Sequence, residues 1–199
     1  EGHPEIITIH ADDKSKVVAG MKWHSDVSCD VEPPMGSILH LHTIPGAGGD
    51  TMFASGYAAH DTLSDPIKEL ITGLKAWNES APVHRERFGA GGKLRDGENA
   101  FPEALHPIVR THPVTRRKAL FVNENFTTRI EGLGKIESDA MLKMLFDHIA
   151  TPEFHCRFRW REKSVAMWDN RCAQHRSVWD YYPQVRHGYR VTIAGDKPV

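Results

Sequence analysis

The sequence has few cysteines, no long apolar run and almost no excess charge. Cys29, Cys156 and Cys172 are too few and too scattered for a disulfide framework, and no Cys-x-x-Cys spacing indicates a zinc or redox pair. No run of about 18 apolar residues is present. The N-terminal Glu1-Gly2-His3-Pro4 lacks the basic and apolar segments of a signal peptide. We therefore expect a cytoplasmic protein with free thiols and no membrane partner.

The charge balance excludes a further class of partner. The formal net charge is −1 and the pI is about 7.0, whereas proteins that bind nucleic acids or anionic membranes carry a basic excess. With 199 residues and 40% hydrophobic content, residues 1–199 fit a single domain with a core of its own. Because the chain lacks an initial Met and enters at once on the apolar run 6–9, we expect this domain to be N-terminally incomplete.

The hydrophobic pattern predicts a mainly β protein with inserted helices. The longest helix should span 135–150, where apolar residues recur at three- and four-residue spacings. Shorter helices are predicted at 55–63 and 64–74. Strand-like segments lie at 5–9, 35–43, 107–112, 118–123, 154–160, 165–169 and 188–193. In the segment 154–160, Phe154, Cys156, Phe158 and Trp160 alternate with polar residues, which predicts a strand with one buried and one polar face. Since these helices do not alternate regularly with the strands, the order favours a β-sandwich or jelly roll, that is, a double-stranded β-helix with helical insertions.

One long segment has no regular pattern. Residues 82–102 are charged, contain four glycines and show neither helical nor strand periodicity. A segment of about twenty such residues inside a compact domain is usually functional or mobile. We interpret it as a candidate active-site lid loop, with plain disorder as the alternative.

The pair His24 and Asp26 is the first candidate for chemistry. On a β-strand, residues two apart point to the same face, so an imidazole and a carboxylate could share one metal ion. A second imidazole from the distant His175 would complete the facial triad of non-heme Fe(II) oxygenases. The same three ligands also suit a zinc hydrolase, and His40 with His42 is a rival pair of imidazoles. The residues alone leave these alternatives open.

Two arginines near the C-terminus suggest an anion beside that metal. Arg186 and Arg190 follow His175 near the last predicted strand. A guanidinium matches a carboxylate bidentately and stays charged, and Thr51 could add a hydroxyl hydrogen bond. These residues are therefore suited to a dicarboxylate in the same cavity.

Several motifs occur in an order that resembles a known family. They are Trp23-His24-Ser25-Asp26, Gly48-Gly49-Asp50-Thr51, the segments 106–113 and 121–130, Trp168-Asp169-Asn170-Arg171 and Gly195-Asp196-Lys197-Pro198. Together they resemble the taurine dioxygenase (TauD/TfdA) family of Fe(II)- and 2-oxoglutarate-dependent dioxygenases, over almost the whole chain. Several motifs in one order are far more specific than any one of them.

The resemblance implies a role for each candidate side chain. The catalytic ligands of Fe(II) would be His24, Asp26 and His175. The C5 carboxylate of the cosubstrate 2-oxoglutarate would meet Arg186 and Thr51.

The resemblance also implies a substrate pocket and a reaction. Arg190 would lie near the C1 carboxylate of 2-oxoglutarate and the anionic group of the substrate, with Val27 and Phe126 as further substrate-binding residues. With O2, the enzyme would hydroxylate a C–H next to a sulfonate, alkyl sulfate or aryloxy leaving group and release succinate and CO2.

Two positions point away from taurine itself as the substrate. Taurine-specific members tend to carry an aromatic residue where this chain has Cys29, and an amide where it has Gly20. The remaining alternative is a non-catalytic or partner-dependent fragment of the same fold. We also expect a homo-oligomer.

Overall fold

The computed structural model describes residues 2–88 and 101–199 of the chain. The strands are β1 (Ile7–Ala11), β2 (Gly36–Thr43), β3 (Thr51–Ser55), β4 (Lys75–Glu79), β5 (Glu103–Pro107), β6 (Val109–Thr111), β7 (Lys118–Leu120), β8 (Thr127–Ile130), β9 (His155–Phe158), β10 (Val165–Asp169), β11 (Ala173–Ser177) and β12 (Arg186–Ile193). The helices are α1 (Gly56–Asp61), α2 (Asp65–Ile71), α3 (Ala81–Phe88) and α4 (Lys135–Ile149), with a 3-10 turn at Pro152–Phe154. No helix of these described ranges is both long and apolar enough to cross a membrane.

Two antiparallel sheets form the part of the fold that carries the site. One has the strand order β1-β12-β2-β10 and the other the order β11-β3-β9. Along β2, Leu39 and Leu41 are buried while the residues between them are less so, the period-two pattern of a strand with one covered face. These leucines pack with Trp168 of β10, Phe53 of β3 and Phe158 of β9. The apolar faces of the two sheets therefore meet, as in a jelly roll.

A second, larger core lies against helix α4. Its side chains come from α4, from the third sheet (order β5-β4-β8) and from the segments between them. Leu142, Leu145 and Ile149 are at most 4% exposed and recur on one face of the helix. The helix begins where the Glu137 carboxylate accepts the Gly134 N–H at 2.9 Å. This core supports the site from the side without contributing ligands.

Most of the predicted elements are present, with shifted ends. The β-rich fold with inserted helices is confirmed, and the strand at 165–169 and the helix at 135–149 match closely. The strands β3, β4, β5, β8 and β11 were missed because their sequences mix polar and apolar residues. Within the segment expected to be a loop, residues 82–88 belong to α3. Residues 89–100 of that candidate lid lie outside the described residues.

One burial prediction from the strand at 154–160 is wrong. The alternation suggested that Cys156 shares a buried face with Phe154, Phe158 and Trp160, but Cys156 is exposed. The strand is short and lies at the edge of its sheet, paired only with β3. An edge strand is covered less completely than a central one, and this leaves the Cys156 side chain open.

Candidate active site

A single antiparallel β-bridge joins His24 and His175, the two histidines of the predicted triad. His24 N–H donates to the His175 carbonyl at 3.1 Å, and His175 N–H donates to the His24 carbonyl at 2.8 Å. His175 itself lies on β11, opposite Phe53 of β3. The two imidazoles therefore stand side by side, with ring centroids 4.2 Å apart.

Asp26 reaches the same point by a different route from the one predicted. We expected His24 and Asp26 on one continuous strand, but only His24 takes part in the bridge, and Asp26 opens a turn. Val27 has φ +46°, in the left-handed region, and its carbonyl accepts the Asp30 N–H at 3.0 Å. The turn, rather than strand alternation, directs the carboxylate toward the imidazoles.

The three side chains converge on one buried point. The Nε2 atoms of His24 and His175 lie 3.9 and 3.7 Å from Oδ1 of Asp26, and the three ligand atoms all lie within 4.8 Å of one another. The three residues are only 7%, 2% and 6% exposed for His24, Asp26 and His175. These separations are too long for hydrogen bonds. They suit three ligands around one small cation.

Neighbouring groups orient two of the three side chains. The Nδ1 atom of His24 lies 2.8 Å from the Lys22 carbonyl, which can only accept, so Nδ1 carries the proton and Nε2 presents its lone pair. Oδ2 of Asp26 accepts the Ser37 hydroxyl at 2.6 Å, which leaves Oδ1 toward the imidazoles. Metal-binding histidines and carboxylates are typically held in this way.

The protonation states also suit a metal. Burial lowers the pKa of His24, and it lowers the pKa of His175 to about 3, with repulsion from His24 as the next cause. Burial alone would raise the pKa of Asp26, but His175, Arg190 and His24 together lower it below its usual range. The site therefore offers two neutral imidazoles and one carboxylate, the forms that bind a divalent cation.

Arg190 compensates the buried carboxylate. Its Nη1 donates to Oδ1 of Asp26 at 2.7 Å, and its side chain is 19% exposed. Arg190 lies on β12 four residues after Arg186, and an even spacing places both on one face of the strand. A second cationic side chain thus lies on the same face of β12 as Arg190.

Arg186 and Thr51 meet as the sequence suggested. Both are 4% exposed, and Nη2 of Arg186 donates to the Thr51 hydroxyl at 3.4 Å. The Arg186 Nε donates to the Gly49 carbonyl at 3.0 Å. Trp160, which sequence reasoning did not single out, donates from Nε1 to the same hydroxyl oxygen at 3.0 Å. With two donors on its oxygen, the Thr51 hydroxyl proton is directed away from them.

The two residues expected in the substrate pocket flank the triad. Val27 follows Asp26 directly and is half-buried. The Phe126 ring centroid lies 6.5 Å from that of His24, with the rings edge to face. Phe126 N–H donates to the Asn123 side chain at 3.0 Å, and this contact fixes the backbone that carries the ring.

Two residues that support the triad were missed by the sequence. They are Ser37, described above, and Asn170, whose side-chain oxygen accepts Trp168 Nε1 at 2.9 Å and lies 3.4 Å from the Asp26 amide. Ser37 lies on β2, and Asn170 directly follows β10. The motif Trp168-Asp169-Asn170-Arg171 could have indicated Asn170 as a site residue. No sequence pattern around Ser37 predicts its role.

Another His-Asp-Cys group is not a plausible metal site. His112, Asp169 and Cys172 lie within ligand distance of one another. Nδ1 of His112 accepts the Val114 and Thr115 amides at 3.2 and 3.1 Å, so Nε2 carries the proton and donates to Asp169 at 3.1 Å. No lone pair of this imidazole is left for a metal.

The rival pair His40 and His42 does not reach the triad. It lies on the face of β2 opposite the buried Leu39 and Leu41, and its ring centroids are 6.1 Å apart.

Comparisons with known proteins agree with this geometry. The model of the family described as "Taurine catabolism dioxygenase TauD, TfdA family" matches residues 1–192. The crystal structure of a taurine dioxygenase from Burkholderia xenovorans superposes with a TM-score of 0.83 at 34% identity, covering 100% of this chain and 67% of that one. This likeness supports the jelly-roll assignment of the fold.

Curated relatives point the same way. A protein of Schizosaccharomyces pombe, whose name places it among alpha-ketoglutarate-dependent sulfonate dioxygenases, is 43% identical over 180 residues, covering 88% of this chain and 44% of that protein. The alpha-ketoglutarate-dependent sulfate ester dioxygenase of Pseudomonas putida is 35% identical over 189 residues, covering 89% of this chain and 60% of that protein. The chain thus spans about half the length of these relatives. The family match over 192 residues and the shared fold show that this chain belongs to the TauD/TfdA family of dioxygenases.

Proposed function

We propose that this chain carries the catalytic centre of an Fe(II)- and 2-oxoglutarate-dependent dioxygenase. Its reaction is hydroxylation of a C–H next to a sulfonate, alkyl sulfate or aryloxy leaving group, with release of succinate and CO2. The observation that carries the proposal is the convergence of His24, Asp26 and His175 on one buried point, beside two arginines from one face of β12. Relatives named as sulfonate and sulfate ester dioxygenases support the class of substrate.

The triad would hold the iron. Two neutral imidazoles and one carboxylate would be its protein ligands, and such a set would leave further positions open to the cosubstrate and O2. When bound, the iron supplies the activation of O2 that the side chains cannot perform. The residues of the chain contribute the ligand geometry, the charge balance and a largely buried surrounding.

Arg186 and Thr51 would hold the distal carboxylate of 2-oxoglutarate. The Arg186 guanidinium is buried and anchored through Nε to the Gly49 carbonyl, so its two terminal nitrogens can face a carboxylate bidentately. The Thr51 hydroxyl accepts from Trp160 and Arg186 and keeps its own proton for a further acceptor. A charged, pre-oriented pair of this kind selects a dicarboxylate over a monocarboxylate.

Arg190 would meet the remaining anionic groups. It lies next to Asp26 at 2.7 Å, and its Nε is buried without a partner among the described residues. An incoming carboxylate or sulfonate would satisfy that donor. Val27 and Phe126 would form the wall that places the substrate C–H beside the metal.

The pocket argues for a substrate other than taurine. Gly20 has φ +75°, and a Cβ there would come within 2.8 Å of the His24 ring, so this position offers no side chain to a substrate amine. Cys29 is buried, and burial raises the pKa of its thiol to about 12. The site therefore recognises the anionic end of its substrate more than a cationic one. Alkyl sulfates and longer sulfonates fit that description better than an aminosulfonate.

Anaerobic visible absorption tests the cosubstrate site first. Adding Fe(II) and then 2-oxoglutarate should produce a charge-transfer band that requires both additions. The band should vanish in His175→Ala and weaken in Arg186→Ala. Arg159→Ala, at an exposed arginine directly after β9, should leave it unchanged. A folded sample with no band would remove the proposal.

Succinate formation then tests turnover and substrate class. Sulfonates, alkyl sulfates and aryloxy acids should each be tried with O2, and one class should raise succinate release above the uncoupled background. Sulfite, sulfate or phenol release would identify the class. Steady succinate formation also excludes the two alternatives, a zinc hydrolase on the same ligands and a non-catalytic fragment of the fold.

We propose further that residues 1–199 act as one domain in which helix α3, at the described start of the segment 82–102, covers the site. Support comes from a contact of α3, in which Glu86 accepts from Lys22 Nζ at 2.6 Å. Lys22 lies two residues before His24, the first proposed iron ligand. Hydrogen exchange with and without 2-oxoglutarate and substrate tests this. Slower exchange in α3 on binding is expected, and unchanged exchange would contradict the lid.

We also propose a cytoplasmic homo-oligomer. The outer face of the larger sheet exposes Val165, Met167 and Tyr189 at 57%, 64% and 44%, an apolar surface suited to self-association. The three free cysteines suit a reducing compartment. Light scattering during gel filtration tests the oligomer, and cell fractionation tests the location.

A further inference from the structure

Three histidines from three neighbouring strands gather at one end of the larger sheet. His10 lies on β1, His187 on β12 and His42 on β2, and we refer to these three as the histidine cluster. His10 and His187 are directly paired in the β1–β12 register. Their side chains point away from the face that carries Arg186 and Arg190. The cluster is therefore separate from the candidate active site.

The closest contact in the cluster joins two ring nitrogens. Nδ1 of His10 lies 3.1 Å from Nδ1 of His187. For an ion about 2.0–2.1 Å from each nitrogen, the nitrogen–metal–nitrogen angle would be about 100°, between the octahedral and tetrahedral values. The two imidazoles are already at the separation that two ligands of one transition-metal ion adopt.

A carboxylate orients the first imidazole. Oδ2 of Asp12 lies 3.5 Å from Nε2 of His10, on the side of the ring opposite the His187 contact. Asp12 is itself fixed, since its Oδ1 accepts the Ser15 hydroxyl and the Lys14 amide, each at 3.0 Å. A carboxylate on the far nitrogen of an imidazole is a common support of metal-binding histidines. It leaves Nδ1 of His10 as the free lone pair.

A β-bulge brings in the third imidazole. In the β12–β2 register, His187 pairs with Thr43 and Gly188 with Leu41, so His42 is the extra residue on β2. Bulges re-aim a side chain locally, and here the His42 ring centroid lies 4.8 Å from that of His187. Gly188 permits the close approach of the strands, since a Cβ there would meet the His40 carbonyl at 2.1 Å.

The environment keeps His187 in the form that binds metals. Burial lowers its pKa, and the neighbouring His42 and His10 lower it further. A neutral imidazole can bind a cation without first losing a charge-bearing proton. On binding, the proton between the two Nδ1 atoms is displaced, and His187 carries its proton on Nε2 instead.

We propose that the histidine cluster binds a divalent transition-metal ion such as Zn²⁺ through His10 and His187, whose Nδ1 atoms already lie 3.1 Å apart. His42 packs against His187 but is not within ligand distance of both other imidazoles. Imidazole nitrogen suits Zn²⁺, Cu²⁺ and Ni²⁺ better than Mg²⁺ or Ca²⁺. The ion would join the edge strand β1 to its neighbour β12. The proposal does not rest on the proposed dioxygenase activity.

Equilibrium dialysis of the full chain against Zn²⁺ tests the site. The active-site triad also binds Zn²⁺, so about two ions per chain are expected in total. His187→Ala should remove one ion, His175→Ala should remove the other, and the double variant should retain neither. His3→Ala, an exposed histidine on the same N-terminal segment, is the control and should bind as the unaltered chain does.

The single variants separate the two proposals. Unchanged stoichiometry in both His187→Ala and His10→Ala would overturn the surface site, whatever happens at the triad. Loss in His187→Ala alone, with His175→Ala unchanged, would support the surface site and count against the triad. Asp12→Asn should weaken Zn²⁺ binding about 10-fold or more if the carboxylate orients His10.

Hydrogen exchange gives a second measurement that does not depend on stoichiometry. Zn²⁺ should slow exchange of the β1 amides, because ligands on β1 and β12 then oppose fraying of the edge strand. A chelator should reverse the effect, and His10→Ala should abolish it. Equal exchange with and without Zn²⁺ in the unaltered chain would contradict the proposed ligands.

Discussion

At the scale of single residues, the triad depends on neighbouring groups that are not themselves metal ligands. The Ser37 hydroxyl donates to Oδ2 of Asp26 at 2.6 Å, and the Lys22 carbonyl accepts from Nδ1 of His24 at 2.8 Å. Each contact restricts one ligand to one orientation. The geometry of the site is therefore set by its neighbours as much as by its ligands.

Replacing Ser37 by Ala should weaken metal binding while the fold is kept. The Asp26 carboxylate would lose its strongest neutral donor and gain rotational freedom, so Fe(II) affinity should fall by about 10-fold. Anaerobic titration with Fe(II) and 2-oxoglutarate measures this. Ser138→Ala is the matched control, because Ser138 is equally buried and accepts the Ile130 amide at 2.8 Å far from the triad. Equal losses of affinity in the two variants would contradict the orienting role of Ser37.

Replacing Trp160 by Phe should affect the cosubstrate and spare the iron. The substitution keeps an aromatic side chain but removes the Nε1–H that donates to the Thr51 hydroxyl at 3.0 Å. The hydroxyl is then free to rotate, so the KM for 2-oxoglutarate should rise several-fold, consistent with about 1 kcal/mol for one hydrogen bond. Trp77→Phe, on β4, serves as the control. A change in kcat with an unchanged KM for 2-oxoglutarate would rule out this role for Trp160.

The residues that converge in the structure were easier to find in the sequence than the residues that orient them. His24, Asp26, Thr51, His175 and the two C-terminal arginines were all named in advance, because their residue types match the chemistry or a motif. Ser37 and Trp160 were not named, since a serine and a tryptophan on a strand have no distinctive spacing. Their roles arise only when β2 and the segment after β9 fold against the site.

At the scale of elements, strand β11 shows why local patterns failed. Its sequence Ala173-Gln-His-Arg-Ser has no apolar alternation, although Gln174 and His175 are buried. Each of these buried polar side chains has a specific contact. Gln174 donates to the Val122 carbonyl at 2.6 Å, and His175 is one of the three triad residues. Functional strands carry polar residues where an ordinary strand would carry apolar ones.

Helix α4, in contrast, was predicted from its apolar periodicity, and its buried face allows a direct test of the supporting core. Leu145 is fully buried in the cluster beside α1 and the third sheet, so Leu145→Ala should cost about 2–5 kcal/mol of unfolding free energy. Lys143→Ala, whose side chain is 76% exposed and pairs with Asp147, should change stability by less than about 0.5 kcal/mol. Denaturant unfolding compares them. A Leu145→Ala cost near that of Lys143→Ala would mean that α4 is not part of this core.

At the scale of the whole molecule, a charged network ties distant segments together. Asp169 at the end of β10 accepts from Arg171 at 2.8 Å and from His112 at 3.1 Å. Arg110, which is 1% exposed, donates to Asp196 at 2.6 Å. Three segments far apart in sequence, 110–112, 169–171 and the one around Asp196, are joined in this way. The sequence could show the motif residues but not that they contact one another, because such pairs form only when the chain has closed into its final topology.

The network predicts how the protein responds to acid. Burial alone would raise the pKa of Asp169, but hydrogen bonds from Arg171 and His112 lower it to about 2, from an ordinary value of 3.8. A carboxylate whose pKa is lower in the folded state stabilises the protein above the unfolded pKa, and this contribution is lost as the pH falls from about 4 toward about 2.

Asp169→Asn should remove this contribution to acid sensitivity. Because Asp169 is partly exposed, its share is on the order of 1–2 kcal/mol. At neutral pH the variant should therefore be less stable by about that amount, and the difference from the unaltered chain should shrink as the pH falls to about 2. Urea unfolding at a series of pH values measures both. Asp139→Asn, an exposed carboxylate on α4 paired only with Lys135, should show no such convergence. If the gap between Asp169→Asn and the unaltered chain stayed constant down to pH of about 2, the hydrogen bonds from Arg171 and His112 would not be the cause of the lowered pKa.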